Sequence, residues 1–273
     1  MTCMIVATDL SERGDRAVQR AFLLAGKAGA SLVAVTVVDD SLPADVAALM
    51  VPACEAQLTR LIAAIPSAGT VPHEIRVLRG DPALAVAAVS AAERADLLIL
   101  GLHRARPIAD LFRETTMERI VRQVACPVLL VSTPAATPYL GVVAAVDFSP
   151  AAAAALRCAH AIAPDAPLFA VHALHVPYRG LMPADTIGAF LGEAEAAEAG
   201  WRRTQVLPDG LGKVELIEGN VEQVLSGVLS RTGADLIALG AHARSGLHAA
   251  VVGSVVARMM REPPCDLLIA RPD

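Results

Sequence analysis

One loop in the second half of the chain combines small residues with polar side chains in a pattern that suits a polyphosphate. Glycine and alanine let backbone N–H groups approach an anion closely, because no large side chain intervenes. The loop ends where a helix is predicted to begin, so free N–H groups and the positive end of the helix dipole point at the same space. The candidate ligand-binding residues of this loop are Gly240, His242, Ala243, Arg244, Gly253 and Ser254. The alternative is that the loop only turns the chain, since glycine motifs are common outside binding sites.

A carboxylate follows the first predicted strand of the same half. Asp147 comes at the end of the apolar run V-V-A-A-V, and ligands of parallel sheets bind beyond the carboxyl ends of strands. Asp147 can accept hydrogen bonds from an adenosine there. It might otherwise cap the next helix, but Ser149 is the better helix cap. The order of the two residues therefore favours a ligand-binding role for Asp147.

The chain contains an internal duplication, which organises the elements that position these residues. Asp9 aligns with Asp147 at an offset of 138, and the segment A-D-L-L-I-L-G-L-H at 95–103 aligns with A-D-L-I-A-L-G-A-H at 234–242 at an offset of 139. Matches in the same order at nearly constant spacing indicate two copies of one module. A turn-rich linker ends near Pro138. The predicted domains are residues 1–134 and 139–273.

Each copy alternates short apolar runs with longer alanine-rich stretches, which predicts strands alternating with helices. Near-continuous apolar strands are typical of a parallel sheet covered on both faces. We therefore predict two tandem doubly wound α/β domains, each with a five-stranded, mostly parallel sheet flanked by helices. The predicted strands are 3–8, 31–38, 72–78, 96–101 and 127–131, then 141–146, 168–174, 213–218, 235–239 and 266–270. The helices predicted in the first copy are 12–28, 45–65, 82–94 and 115–124.

Composition excludes several classes of function. The chain of 273 residues has a net charge of −5 and no basic block, so we expect no nucleic-acid partner. We find no run of about 18 uncharged apolar residues and expect no membrane span. The five cysteines fall in apolar segments without C-x-x-C spacing, and no histidine has a partner at a recognised metal-ligand spacing. These features predict a soluble cytoplasmic protein without a metal site.

The motifs together resemble the universal stress protein family. The similarity rests on V-D-F-S at 146–149, the glycine loop, and P-C-D-L-L-I-A at 264–270. ATP-binding members of that family carry G-x-x-G-x(9)-G-[S/T], and this chain departs from the pattern only at Ala243. Because the resemblance covers both halves, the chain resembles a tandem member with the adenine-nucleotide α-hydrolase-like fold. The resemblance implies that ATP, with or without Mg²⁺, binds with its adenine against Asp147 and the main chain of Ala173, and with its phosphates in the loop.

The first copy departs much further from that pattern. Gly101 matches, but Arg104 takes the second position and Glu114-Thr115 takes the place of the final glycine and serine. The Glu114 carboxylate would repel a phosphate at about 4 Å by about 1 kcal/mol even in water, and Arg104 can pair with it. We therefore predict that the first copy does not bind ATP. An alternative is that its basic cluster recruits another anion; the cluster is His103, Arg104, Arg106 and Arg113.

Three classes of function are compared on this basis. The leading prediction is a stress-response or regulatory protein that binds ATP or a related adenine nucleotide in the second domain, with the first domain structural. A slow ATPase or phosphotransferase is the second, although the loop has no lysine and no carboxylate placed to orient water. The third is a module that binds an apolar ligand or a protein partner instead of a nucleotide. The two copies are expected to form an intramolecular pseudo-dimer through the edge strands 127–131 and 266–270; a homodimer of chains stays open.

Overall fold

The structure is a computed structural model that describes residues 1–102, 115–176, 186–241 and 254–272. The contacts between residues divide the chain into two compact units. Unit 1 contains the described residues of Met1–Pro138 and Ala257–Leu267. Unit 2 contains the described residues of Tyr139–Ala243, Gly253–Val256 and Leu268–Asp273.

The first repeat is an α/β layer structure with a parallel sheet. Its strands are β1 (Cys3–Ala7), β2 (Ser31–Val38), β3 (His73–Arg79), β4 (Leu97–Gly101) and β5 (Val128–Val131). Its helices are α1 (Glu12–Ala28), α2 (Ala44–Ala63), α3 (Pro82–Ala92) and α4 (Thr116–Gln123), with a 3₁₀ turn at Ala68–Thr70. The strands lie in the order β3-β2-β1-β4-β5, and each adjacent pair is parallel. The carboxyl ends of β1, β2 and β4 therefore lie at one edge of the sheet.

The second repeat has the same order of elements. Its strands are β6 (Val142–Ala145), β7 (Leu168–Leu174), β8 (Glu215–Glu218), β9 (Leu236–Gly240) and β10 (Asp266–Ala270). Its helices are α5 (Pro150–Ile162), α6 (Thr186–Thr204), α7 (Val221–Thr232) and α8 (Ser254–Arg261). β6 pairs in parallel with both β7 and β9, β7 pairs with β8, and β10 lies beside β9. The strand order is thus the same as in the first repeat.

Apolar strand residues and helix caps explain why these elements form. The central strands β1, β4, β6 and β9 consist almost entirely of buried aliphatic residues, as expected for strands covered by helices on both faces. α1 begins at the cap Ser11, whose hydroxyl accepts from the Gly14 N–H, and ends at Gly29, whose φ of 63° lies in the left-handed region. The predicted doubly wound fold with parallel five-stranded sheets is confirmed.

Element boundaries differ from the predicted ones by one or two residues at most ends. The strand predicted at 213–218 begins at Glu215, and the one predicted at 3–8 ends at Ala7. Thr8 still donates its N–H to the Val35 carbonyl at 2.9 Å, but the chain turns directly afterwards through Leu10, whose φ is 59°. A sequence pattern records burial, and burial continues past the last residue of a strand.

Among the described residues, α2 is the one helix long and apolar enough to cross a membrane by length and composition, with a mean hydropathy of 1.3. The expectation that the chain contains no such segment is therefore not met in the case of α2. Core helices pass the same test, and α2 buries Ala47, Cys54, Leu58 and Ile62 within its repeat. The helix also carries Asp45, Glu55 and Arg60, so its composition is weak evidence for a membrane span.

Candidate functional site

A tight turn after β6 holds Asp147 at the carboxyl edge of the sheet. An Asp147 carboxylate oxygen accepts a hydrogen bond from the Ser149 N–H at 3.1 Å, and Phe148 between them has a φ of 61°. Ser149 in turn caps α5, because its hydroxyl accepts from the Ala152 N–H at 3.1 Å. Capping of α5 thus belongs to Ser149, as the sequence predicted, and the exposed Asp147 side chain lies outside the helix.

The first repeat contains the same turn. Asp9 accepts from the Ser11 N–H at 3.1 Å, Leu10 has a φ of 59°, and Ser11 accepts from the Gly14 N–H at 3.2 Å. A short polar side chain that bonds two residues ahead stabilises such a turn. The turn is therefore a property of both repeats, and any ligand-specific role of Asp147 must come from its surroundings.

Those surroundings form a cavity of about 290 Å³ in unit 2. It lies beyond the carboxyl ends of β6, β7 and β9, where ligands of doubly wound sheets bind. Its polar lining side chains are those of Asp147 and His172, and most of the remaining wall is aliphatic. The lining residues are Ala145, Val146, Asp147, Val171, His172, Ala173, Val221, Val224, Leu225, Leu239, Gly240, Val255 and Val256.

The structure brings three of the predicted ligand-binding residues to this one cavity. Asp147 follows β6, Ala173 is the next-to-last residue of β7, and Gly240 is the last residue of β9. Because β7 and β9 flank β6 in parallel, their ends meet at the same edge. The combination of an accepting carboxylate, main-chain groups and an aliphatic wall fits a planar, hydrogen-bonding ligand.

Gly240 has a structural reason to be glycine that the sequence argument missed. A Cβ at this position would lie 2.6 Å from the Ala151 carbonyl carbon and 2.6 Å from the Ala152 nitrogen, in the first turn of α5. Gly101 ends β4 in the same way, and its Cβ would lie 2.6 Å from the Arg13 carbonyl oxygen. Since both repeats need a glycine here for helix–strand packing, Gly240 does not by itself indicate a ligand.

An aromatic layer lies behind the polar part of the cavity. The His172 and Phe148 rings are stacked with centroids 4.6 Å apart, and the His172 Nδ1 is 2.7 Å from the Val146 carbonyl oxygen. Trp201 is buried, meets Phe148 edge-on at 5.9 Å, and donates its Nε1–H to the Ser149 carbonyl at 2.9 Å. These contacts hold the turn that carries Asp147, so Trp201 acts in packing.

The first turn of α8 forms another wall of the cavity through Val255 and Val256. The equivalent helix of the first repeat, α4, begins with a capping box. There the Thr115 hydroxyl accepts from the Glu118 N–H at 3.2 Å, and the Glu118 carboxylate accepts from the Thr115 N–H at 2.9 Å. At the repeat offset of 139, Glu118 corresponds to Ala257 (118 + 139), which has no carboxylate.

The remaining predicted residues lie outside the described part of the chain. In the second repeat these are His242, Ala243, Arg244 and Gly253, and the side chain of Ser254, the first residue of α8, is also not described. In the first repeat they are His103, Arg104, Arg106, Arg113 and Glu114. The predicted Arg104–Glu114 pair therefore stays a prediction.

The sequence argument missed the residues that α7 contributes to the cavity. Val221, Val224 and Leu225 line it from the first turns of that helix. One signal could have found them, because α7 starts directly after β8 and so begins at the same carboxyl edge. His172 was considered only as a metal ligand; within the described residues, no group of three or more potential ligand side chains could hold a metal ion.

Comparison with known proteins places both repeats in one family. The model of the Universal stress protein family matches residues 2–132 and, a second time, residues 138–271. A crystal structure of a universal stress protein from Archaeoglobus fulgidus is similar over 99% of this chain and 98% of its own, with 18% identity and a TM-score of 0.71. A protein of unknown function from Pseudomonas aeruginosa is similar over 100% of this chain and 93% of its own, with 20% identity and a TM-score of 0.64.

A third solved structure, a putative universal stress protein from Pseudomonas aeruginosa, covers 100% of this chain and 94% of its own, with 20% identity and a TM-score of 0.63. Among curated proteins, none matches the chain. At these identities the structural likenesses establish the fold over the whole chain, and the family follows from the two sequence matches.

Proposed function

Because the chain belongs to the universal stress protein family, with both halves matched, we propose that it is a stress-response regulatory protein that binds ATP or a related adenine nucleotide in its second repeat. The family resemblance predicted from the motifs is confirmed by these two matches. The observation that carries the nucleotide proposal is the cavity at the ends of β6, β7 and β9, which is lined by Asp147, Ala173 and Gly240.

The size and lining of the cavity suit the nucleoside part of such a ligand. Its volume of about 290 Å³ is at the lower end of the roughly 300–1,000 Å³ of small-molecule sites. Val221, Val224 and Leu225 offer an aliphatic surface for a purine, and Asp147 offers acceptors for ribose hydroxyls. The phosphates would then extend along the loop between Gly240 and Ser254.

The start of α8 is the proposed contact for the phosphates. Helix N-termini bind anions through free N–H groups and the helix dipole. Val255 and Val256 place the first turn of α8 at the cavity. Because Ala257 replaces the capping glutamate of the first repeat, no carboxylate at that position competes with a phosphate.

The first repeat is proposed to be structural. In α4 the buried Glu118 carboxylate already accepts from the Thr115 N–H at 2.9 Å. An anion that approaches the start of α4 would have to displace this carboxylate or lie beside its negative charge. The capping box thus disfavours a phosphate independently of the effect predicted for Glu114.

The repeat structure supplies a matched pair of variants to test the proposal. Asp147→Ala and Asp9→Ala each remove the same turn bond, to Ser149 and Ser11 respectively, so both should lower thermal stability to a similar extent. Only Asp147→Ala should weaken ATP binding, by about tenfold, because hydrogen bonds to a charged acceptor contribute about 1.5–3 kcal/mol. Isothermal titration calorimetry with nucleotide-free protein measures both. Equal affinities for the two variants would contradict the placement of the site in the second repeat.

An apolar ligand is a second candidate, favoured by the aliphatic wall of the cavity and by the packing reason for Gly240. Such a ligand would not need the Asp147 carboxylate. Titration of the wild-type protein with ATP and with an uncharged apolar dye separates the two: dye binding without ATP binding supports the second candidate.

A further inference from the structure

Helix α2 presents an apolar surface to solvent on the side that faces away from its own sheet. Leu49 is 74% exposed, Met50 41%, Val46 39% and Leu42 36%. The opposite side of the helix packs against the repeat through Ala47, Cys54, Leu58 and Ile62. Isolated exposed apolar residues are ordinary, but several on one helix face form a patch of the kind that marks interaction sites.

The duplication provides an internal control for this surface. Helix α6 occupies the same place in the second repeat, after the second strand, and its middle carries Glu193, Glu195 and Glu198. Between Val46 and Thr59, α2 carries the single charged residue Glu55. The fold therefore does not require an apolar outer face at this position, and the face of α2 is particular to the first repeat.

Residues on the outer side of α2 have a self-complementary order. At 100° per residue, the exposed positions opposite the buried side lie within about 100° of one another around the helix axis. In chain order they are Asp45, Leu49, Pro52, Ala53, Ala56 and Arg60. An acidic residue stands at one end, a basic residue at the other, and a large apolar residue is balanced by a small one.

We propose that this outer face of α2 binds the same face of α2 on a second copy of the chain, with the two helices antiparallel across a twofold axis. A twofold axis level with the Pro52–Ala53 pair places each residue opposite the one whose number completes a sum of 105. Asp45 then faces Arg60 of the second copy, and Leu49 faces Ala56 of the second copy. Both ion pairs form twice, as an isologous interface requires.

The charges near the face favour this partner over a lipid surface. Asp39, Asp40, Asp45 and Glu55 are exposed, with Arg60 as the nearby cation on the helix. Amphipathic helices that bind membranes carry lysine and arginine on the polar face, because membrane surfaces are anionic. The acidic surroundings of α2 would be repelled there, whereas Asp45 is attracted to Arg60 of another copy.

One helix face from each copy makes a small interface. Stable dimers bury about 1,200–2,000 Å² in total, and a single helix pair buries less. We therefore expect a weak dimer that forms reversibly as the protein concentration rises from about 1 µM to about 1 mM. Sedimentation velocity over that range should show a shift from monomer toward dimer.

A charge on the face should abolish the dimer. Leu49→Asp places a carboxylate at the centre of the apolar contact, and the variant should stay monomeric over the whole range. Val206 is exposed to the same extent, 74%, but lies outside α2, so Val206→Asp adds the same charge elsewhere and should dimerise as the wild type does. Circular dichroism confirms that both variants are folded. Equal association of Leu49→Asp and the wild type would overturn the proposal.

Charge reversal tests the antiparallel register itself. Asp45→Arg sets two arginines opposite each other, and Arg60→Asp sets two carboxylates opposite each other, so each single variant should weaken the dimer severalfold. The double variant restores opposite charges and should recover most of the association. A double variant weaker than either single one, a wild type that stays monomeric at about 1 mM, or binding of the wild type to phosphatidylserine vesicles through Leu49 would each overturn it.

Discussion

Asp147 and Asp9 show how little a single residue reveals about a binding site. Both follow the first strand of a repeat and accept from the N–H two residues on, at 3.1 Å in each case. What differs is the company of Asp147: an aliphatic cavity wall, the end of β7, and a helix start without a capping glutamate. The glycine at the end of the fourth strand is likewise shared, because Gly240 and Gly101 both pack against a helix backbone.

This packing predicts a marked loss of stability for Gly240→Ala. The added Cβ would lie 2.6 Å from two backbone atoms of α5, which cannot move away as a side chain can. We expect the free energy of unfolding to fall by about 1–3 kcal/mol, measured by urea denaturation.

The control is Gly227→Ala in the exposed part of α7, where nothing lies within 4 Å of the added Cβ. Alanine is the better helix former, so this variant should be more stable by about 0.5–1 kcal/mol. A Gly240→Ala variant as stable as the wild type would show that the packing argument is wrong.

At the scale of elements, the two repeats differ most clearly in the helix that follows the glycine loop. α4 satisfies its own first N–H groups with Thr115 and Glu118, whereas Ala257 cannot serve α8 in this way. We propose that this difference decides which repeat accepts a phosphate, since the same N–H groups serve either a capping side chain or a ligand.

Transferring the capping residue should therefore impair the second site. Ala257→Glu should weaken ATP binding by about tenfold, because the new carboxylate competes for the N–H groups and repels the phosphates. Ala257→Gln has nearly the same size and capping ability without the charge, and should weaken binding less. Calorimetric dissociation constants for the two variants give the order, and a larger loss with Gln than with Glu would exclude a charge effect.

Strands, helices and their order were predictable from the sequence, whereas the walls of the cavity were only partly so. The apolar runs predicted β1 to β10 because parallel strands buried on both faces leave a continuous signal. Asp147, Ala173 and Gly240 were found through repeat alignment and family resemblance. Val221 and Val224 were missed, because an apolar residue at a helix start has the same pattern whether it packs in a core or lines a cavity. The capping role of Glu118 needed coordinates for the Thr115 N–H.

At the scale of the whole molecule, duplication has produced two repeats with one fold and different surfaces. The second repeat has the candidate nucleotide cavity, and the first has the apolar outer face of α2. If both proposals hold, the chain separates ligand binding from self-association between its halves. The residue bounds of the two domains, 1–134 and 139–273, stay a prediction.

The most direct test of the account is the number of ATP molecules that one chain binds. Protein freed of nucleotide by unfolding and refolding would be titrated with ATP by calorimetry, with and without Mg²⁺, below the concentration at which dimers form. The account predicts about one ATP per chain, and a loss of that binding in Asp147→Ala but not in Asp9→Ala. Two ATP molecules per chain would contradict the structural role of the first repeat, and no binding would contradict the nucleotide site itself.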